Sequence, residues 1–137
     1  GMGRRDHRVS IAPDDRRLTE AAGEALNREK EAEVTLAIRL AAAAEALAPH
    51  LPAGLQQSMA AFAWLPVFAR QFELASKATY HAAKGEIERV QPLRAALDDL
   101  ASDLEDRLNR SQNLPYHHAV LFDPHQIRRF AASLPIA

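Results

Sequence analysis

Apolar residues recur at the three- and four-residue spacing of an α-helix over most of the chain, and prolines divide the pattern into segments. The first predicted helix covers residues 15–48. The segment 49–52 ends it, because its two prolines lack amide hydrogens and bias the residues before them away from helical backbone. Further helices are predicted over residues 53–65, 67–84 and 92–110. The pattern therefore predicts an all-α helical bundle of four main helices.

The remaining segments add a short helix and leave two boundaries open. Pro66 either kinks the second helix or starts the third, and Gly85 is either the left-handed cap of the third helix or an interior glycine of a longer one. Residues 109–115 are predicted to form a loop and residues 116–122 an extended stretch. Asp123 followed by Pro124 is typical of a helix start, which predicts a short C-terminal helix through residue 134. Residues 1–13 are predicted to be a flexible arm, and residues 14–137 a single domain.

The second half of the first helix carries apolar residues on more than one side. Between residues 34 and 48 the charged residues are Arg39 and Glu45. One apolar row repeats at spacings of four, three and four, and it consists of Leu36, Leu40, Ala43 and Leu47. A second row lies beside it and consists of Val34, Ile38 and Ala41. A helix with apolar residues on two sides packs on two sides, so this stretch is predicted to lie at the centre of the bundle or in a subunit interface.

Composition and charge narrow the possible partners. The chain has 137 residues, of which 47% are hydrophobic, and its 17 basic and 18 acidic residues leave a net charge of −1. This balance creates no field that attracts nucleic acid, so a nucleic-acid partner is not expected. The longest apolar run, residues 59–69, is shorter than the roughly 20 residues of a membrane span, so no membrane partner is expected either. The absence of cysteine excludes disulfides and favours the cytoplasm.

The sequence offers no convincing cofactor or metal set. Of the six histidines only His117 and His118 are adjacent, and neighbouring residues of an extended segment point to opposite sides. A Glu-x-x-His pair, which helical bundles use to bind two metal ions, does not occur in the sequence. We therefore predict neither a metal nor another cofactor.

The most specific string is His81-Ala82-Ala83-Lys84-Gly85. On a helix, positions i, i+3 and i+4 share a face, which would bring an imidazole, an ammonium group and a bare glycine together. The string resembles the His-x-x-Lys-Gly core of histidine-containing phosphotransfer domains, which are helical bundles. The resemblance implies that His81 accepts a phosphoryl group from a receiver domain, with Lys84 and Gly85 in support. The alternative interpretation is that Lys84 and Gly85 end a helix.

Three functional hypotheses follow from these patterns. The preferred one is a non-enzymatic helical interaction protein, a homodimer or a binder of another helical protein, whose interface contains Val34, Leu36, Ile38, Leu40 and Leu47. The second is a phosphorelay protein with His81 as the acceptor. The third is a nucleic-acid or nuclease module that uses Arg110 and His117, a pair that resembles the Arg-x4–6-His motif of HEPN ribonucleases.

Overall fold

The computed structural model describes residues 20–110 and 123–136 as helices joined by short turns, without a strand. The helices are α1 (Glu20–Leu47), α2 (Ala53–Ala60), α3 (Leu65–Ala83), α4 (Ile87–Arg110) and α5 (Pro124–Ser133). Short 3₁₀ turns cover Ala48–His50 and Ala61–Trp64. The predicted all-α fold with four helices and a short C-terminal helix is confirmed. The predicted arm, the start of the first helix at residue 15 and the predicted extended stretch 116–122 lie outside the described residues.

Prolines and the glycine at position 85 set the boundaries of α3 and α4. Pro66 lies in the first turn of α3, where a missing amide hydrogen costs nothing. Gly85 has a φ of +72° and is the left-handed cap of α3. The prediction that the next helix starts at Pro92 is wrong, because the Glu86 carbonyl already accepts bonds from the amides of Arg89 and Val90 at 3.0 and 3.2 Å. Pro92 is exposed inside α4, where it offers no amide hydrogen to the carbonyl four residues before it.

The start of α5 follows the predicted capping pattern. The Asp123 side chain accepts a hydrogen bond from the His125 amide at 3.0 Å, and Pro124 occupies the first turn. An N-cap carboxylate satisfies a free amide at the helix start and interacts favourably with the helix dipole. The predicted end of the fourth helix at residue 110 is confirmed, so residues 109 and 110, which were also assigned to the predicted loop, belong to α4.

The hydrophobic core lies between α3, α4 and α5. In chain order, α3 packs against α4, and α4 packs against α5. The core residues are Val67, Leu74, Ala75, Ala78, Val90, Leu97, Ala101, Leu104, Ile127, Ala131 and Leu134. None of them belongs to α1. Therefore α1 is an outer helix of the described part of the chain and not the centre of the bundle.

The contact between α1 and α3 is built from small and polar residues. The buried positions of α1 are Gly23, Ala37 and Ala44, whose small size lets the two helix backbones approach closely. Ser76 Oγ donates a hydrogen bond to Asn27 Oδ1 at 2.7 Å across this contact. While α1 packs on α3 through these residues, Leu36, Ile38, Leu40 and Leu47 stay exposed.

The Gln71 side chain on α3 is polar but buried. Gln71 is 2% exposed, and among the described residues its Nε2 has no hydrogen-bond partner. An unsatisfied buried donor costs about 1–3 kcal/mol. We expect Gln71→Met, which keeps the volume and removes the polar atoms, to raise the free energy of unfolding by about 1–2 kcal/mol in urea titrations.

The matched control for this substitution is Ser76→Ala, on the same helix. Ser76 is also buried, but its hydroxyl donates to Asn27. Its removal is expected to lower stability by about 1 kcal/mol. A loss of stability in Gln71→Met would show that the amide makes a hydrogen bond that the fold requires.

Candidate functional site

The outer face of α1 carries a row of leucines that face solvent. The row, which we call the α1 seam, consists of Leu36, Leu40, Ala43 and Leu47. Leu36 is 56% exposed, Leu40 42% and Leu47 49%. At about 100° per residue the four positions fall within roughly 60° of the helix circumference, and the row is about 16 Å long. The seam is thus a continuous apolar line that nothing in the described chain covers.

The structure separates the five residues that the sequence placed in one interface. Leu36, Leu40 and Leu47 belong to the seam. Ile38 is 54% exposed, but it lies on the other flank of α1, because two residues correspond to about 200° of rotation from Leu36 or Leu40. Val34 is half-buried. Ala43 completes the seam, although the predicted interface residues did not include it.

Ile38 lines a groove of about 880 Å³ between α1 and the segment that contains α2 and the second 3₁₀ turn. Alanines of both elements, with Met59 and Pro66, form most of its wall, and Glu45 and Gln56 are its polar residues. The Gln56 side chain already has a hydrogen-bond partner, because its Nε2 donates to the Leu51 carbonyl at 2.8 Å. The groove was not predicted from the sequence, because it forms only where α2 packs beside α1.

The residues of the His81 string lie where α3 ends. The Glu86 amide donates to the His81 carbonyl and the Gly85 amide donates to the Ala82 carbonyl, both at 3.0 Å. These two bonds form the Schellman arrangement, which terminates a helix with a left-handed residue. The expected common helical face is therefore not formed, because Gly85 lies after the last residue of α3.

The His81 and Lys84 side chains of the string each contact a carboxylate. His81 Nδ1 lies 3.1 Å from Glu86 Oε1, and the His81 side chain is 19% exposed. A carboxylate only accepts, so Nδ1 is the donor in this contact. Lys84 Nζ lies 2.7 Å from Glu20 Oε1 and 5.0 Å from the centre of the Tyr80 ring.

Hydrogen bonds among these side chains favour the ionised forms of Lys84, Glu20 and Glu86. Hydrogen bonds to the Glu20 carboxylate and then to the Tyr80 hydroxyl raise the pKa of Lys84 above its ordinary value. The hydrogen bond from Lys84 lowers the pKa of Glu20, and the hydrogen bond with His81 lowers the pKa of Glu86. All of these groups are solvent-accessible, so they form a surface ion-pair network that fastens the start of α1 to the end of α3. A phosphoacceptor role for His81 stays a prediction.

Arg110 and His117 were the other candidate residues. Arg110 is exposed at the end of α4, and its Nε donates to the Asp106 carbonyl at 3.3 Å. Its predicted partner His117 lies outside the described residues. Within residues 20–110 and 123–136, no three side chains of the metal-binding types are grouped to hold an ion. In the same ranges, no helix combines the length and the apolar composition needed to cross a bilayer.

No protein-family model, curated protein or solved structure matches this chain. The α1 seam is therefore the main structural evidence on function, because its three leucines are exposed in one row.

Proposed function

We propose that this protein is a non-enzymatic assembly module that forms a homodimer by burying the α1 seam between two copies of the chain. The observation that supports the proposal is the exposure of three leucines in one row, at 42–56%, on a helix that already packs against α3 with a different face. Contiguous exposed apolar surface is costly to keep in water and is typical of interaction sites.

The spacing of the seam suits a helix that packs against another helix. Positions separated by four, three and four residues form the seam of a two-stranded coiled coil, in which each side chain inserts between residues of the facing helix. The same row on a second copy offers the matching side chains, so the surface is complementary to itself under two-fold symmetry. A second copy is therefore the partner that this surface fits without any further assumption.

The size of the seam sets the expected affinity. Burial of the exposed half of a leucine is worth roughly 1 kcal/mol, and two copies contribute six such side chains. Association costs several kcal/mol of rotational and translational freedom, so the six leucines and the polar rim together leave only a small favourable free energy of binding. We therefore expect a dissociation constant between about 10 µM and 1 mM, in the range of weak homodimers.

Substitution of Leu40 tests the proposal. Leu40→Glu places a charge in the middle of the seam, where dimerisation would bury it without a partner. Light scattering and sedimentation from about 10 µM to 1 mM are expected to show the wild type shifting from monomer to dimer, and Leu40→Glu remaining monomeric throughout.

The matched control is Ile38→Glu, which introduces the same charge at an exposed leucine-sized residue on the other flank of α1. This variant is expected to dimerise as the wild type does. Circular dichroism should show equal helix content for all three proteins. A wild type that stays monomeric at the highest concentration, or a loss of dimer in both variants, would contradict the proposal.

A further inference from the structure

We infer that the two copies pair antiparallel, about a two-fold axis that passes between Leu40 and Ala43. This inference rests on the proposed homodimer and adds the orientation and register of its two α1 helices. It commits the seam to one occupant, a second α1 helix running in the opposite direction. Packing and charge support it independently.

The order of large and small residues in the seam favours the antiparallel register. In the antiparallel register Leu36 faces Leu47 of the second copy, and Leu40 faces Ala43. Every leucine then has a partner, and at the centre a large side chain lies opposite a small one, as close packing requires. In a parallel pair each residue faces its own copy, so two alanines meet at position 43 and leave a gap inside the contact.

The charged residues that continue the seam toward the start of α1 disfavour a parallel pair. Glu29 and Glu33 lie seven and three residues before Leu36, on the same side of the helix, and both are exposed. A parallel pair would place each glutamate opposite its own copy, and such like-charge contacts are destabilising. The Lys30 ammonium lies 3.3 Å from Glu33, whereas Glu29 forms no ion pair within residues 20–110 and 123–136.

The antiparallel register resolves this conflict. It places Glu33 opposite His50 of the second copy, in the exposed 3₁₀ turn that follows α1. Glu29 then lies beyond the end of the facing helix and meets no second carboxylate. The dipoles of the two α1 helices also oppose each other, which favours antiparallel neighbours.

Pulsed electron resonance between two spin labels tests the orientation. The chain has no cysteine, so Ala25→Cys provides a single attachment site in the full chain. Ala25 is exposed on α1 and lies outside the seam contact. At 1.5 Å per residue, the antiparallel register separates the two labels by roughly 50 Å along the helix axis, whereas a parallel pair brings them within roughly 10–20 Å.

The outcomes separate this inference from the proposal on which it rests. A distance near 50 Å, in a sample that light scattering shows to be dimeric, supports the antiparallel register. A short distance in a dimeric sample overturns the register and leaves the homodimer intact. A monomeric sample without dipolar coupling overturns both.

Charge changes at position 50 provide a second measurement. In the antiparallel dimer His50→Lys faces Glu33 of the other copy, so the dissociation constant should fall about 2–5-fold, and His50→Glu should raise it by a similar factor. In a parallel dimer position 50 faces itself, so both substitutions would weaken association. Weaker association of His50→Lys would therefore overturn the register.

Discussion

Leu97→Ala is expected to lower the free energy of unfolding by about 2–5 kcal/mol, which is a large part of the 5–15 kcal/mol of a typical domain. Leu97 lies on α4 in the core shared by α3, α4 and α5, and it is fully buried. Its truncation removes apolar contacts and leaves a cavity that rigid helices on both sides cannot fill. Urea unfolding followed by circular dichroism measures the loss.

The control is Leu36→Ala, the same substitution on an exposed position of α1. Both variants change helix propensity equally, so their difference reports burial alone. At concentrations too low for dimerisation, Leu36→Ala is expected to change stability by less than about 1 kcal/mol. Equal losses at the two positions would contradict the assignment of the core to α3, α4 and α5.

Gly23→Ala is expected to destabilise the protein by about 1–2 kcal/mol, although alanine normally stabilises a helix by about 1 kcal/mol relative to glycine. A Cβ atom at position 23 would lie 2.6 Å from Tyr80 Cδ2 and 2.9 Å from Cε2. The ring does not move freely, because its hydroxyl donates to Glu24 Oε1 at 3.2 Å and Lys84 lies over it. The added methyl group must therefore push α1 away from α3 or displace the ring.

Two controls test this reason for the effect. Gly54→Ala, on α2, adds a methyl group with no atom within 4 Å and is expected to stabilise the protein by about 0.5 kcal/mol. In a Tyr80→Ala background the steric conflict is absent, so Gly23→Ala should become stabilising by up to about 1 kcal/mol. If Gly23→Ala remains destabilising in that background, contact with Tyr80 is not the cause. Thermal or urea unfolding of the wild type, Gly23→Ala, Tyr80→Ala and the double variant measures the coupling energy between positions 23 and 80.

Together these expectations describe a protein with two kinds of helix contact. The core between α3, α4 and α5 uses large apolar side chains, whereas α1 packs on α3 through glycine, alanine and a hydrogen bond between polar side chains. This division leaves Leu36, Leu40 and Leu47 of α1 exposed, and the proposed dimer would bury them. The same helix thus joins the fold by one face and presents the seam by another.

The sequence predicted the parts of this structure that depend on local rules. Pro66 in the first turn of α3, Gly85 as a left-handed cap and Asp123 as an N-cap follow from the backbone preferences of single residues. The N-cap was predicted outright, whereas the observed roles of Pro66 and Gly85 were each one of two alternatives. The start of α4 was placed at Pro92 because proline often begins a helix. The bond that actually starts the helix, from Val90 to the Glu86 carbonyl, carries no sequence signal.

The candidate site was predicted only in part, for a physical reason. Hydrophobic periodicity by itself determined that the later half of α1 has apolar rows on more than one side, because that follows from 3.6 residues per turn. Only the tertiary structure decided which row is covered. Close approach to α3 selects the face with Gly23, Ala37 and Ala44, since small side chains let the backbones come together, and this choice leaves Leu36, Leu40 and Leu47 in solvent.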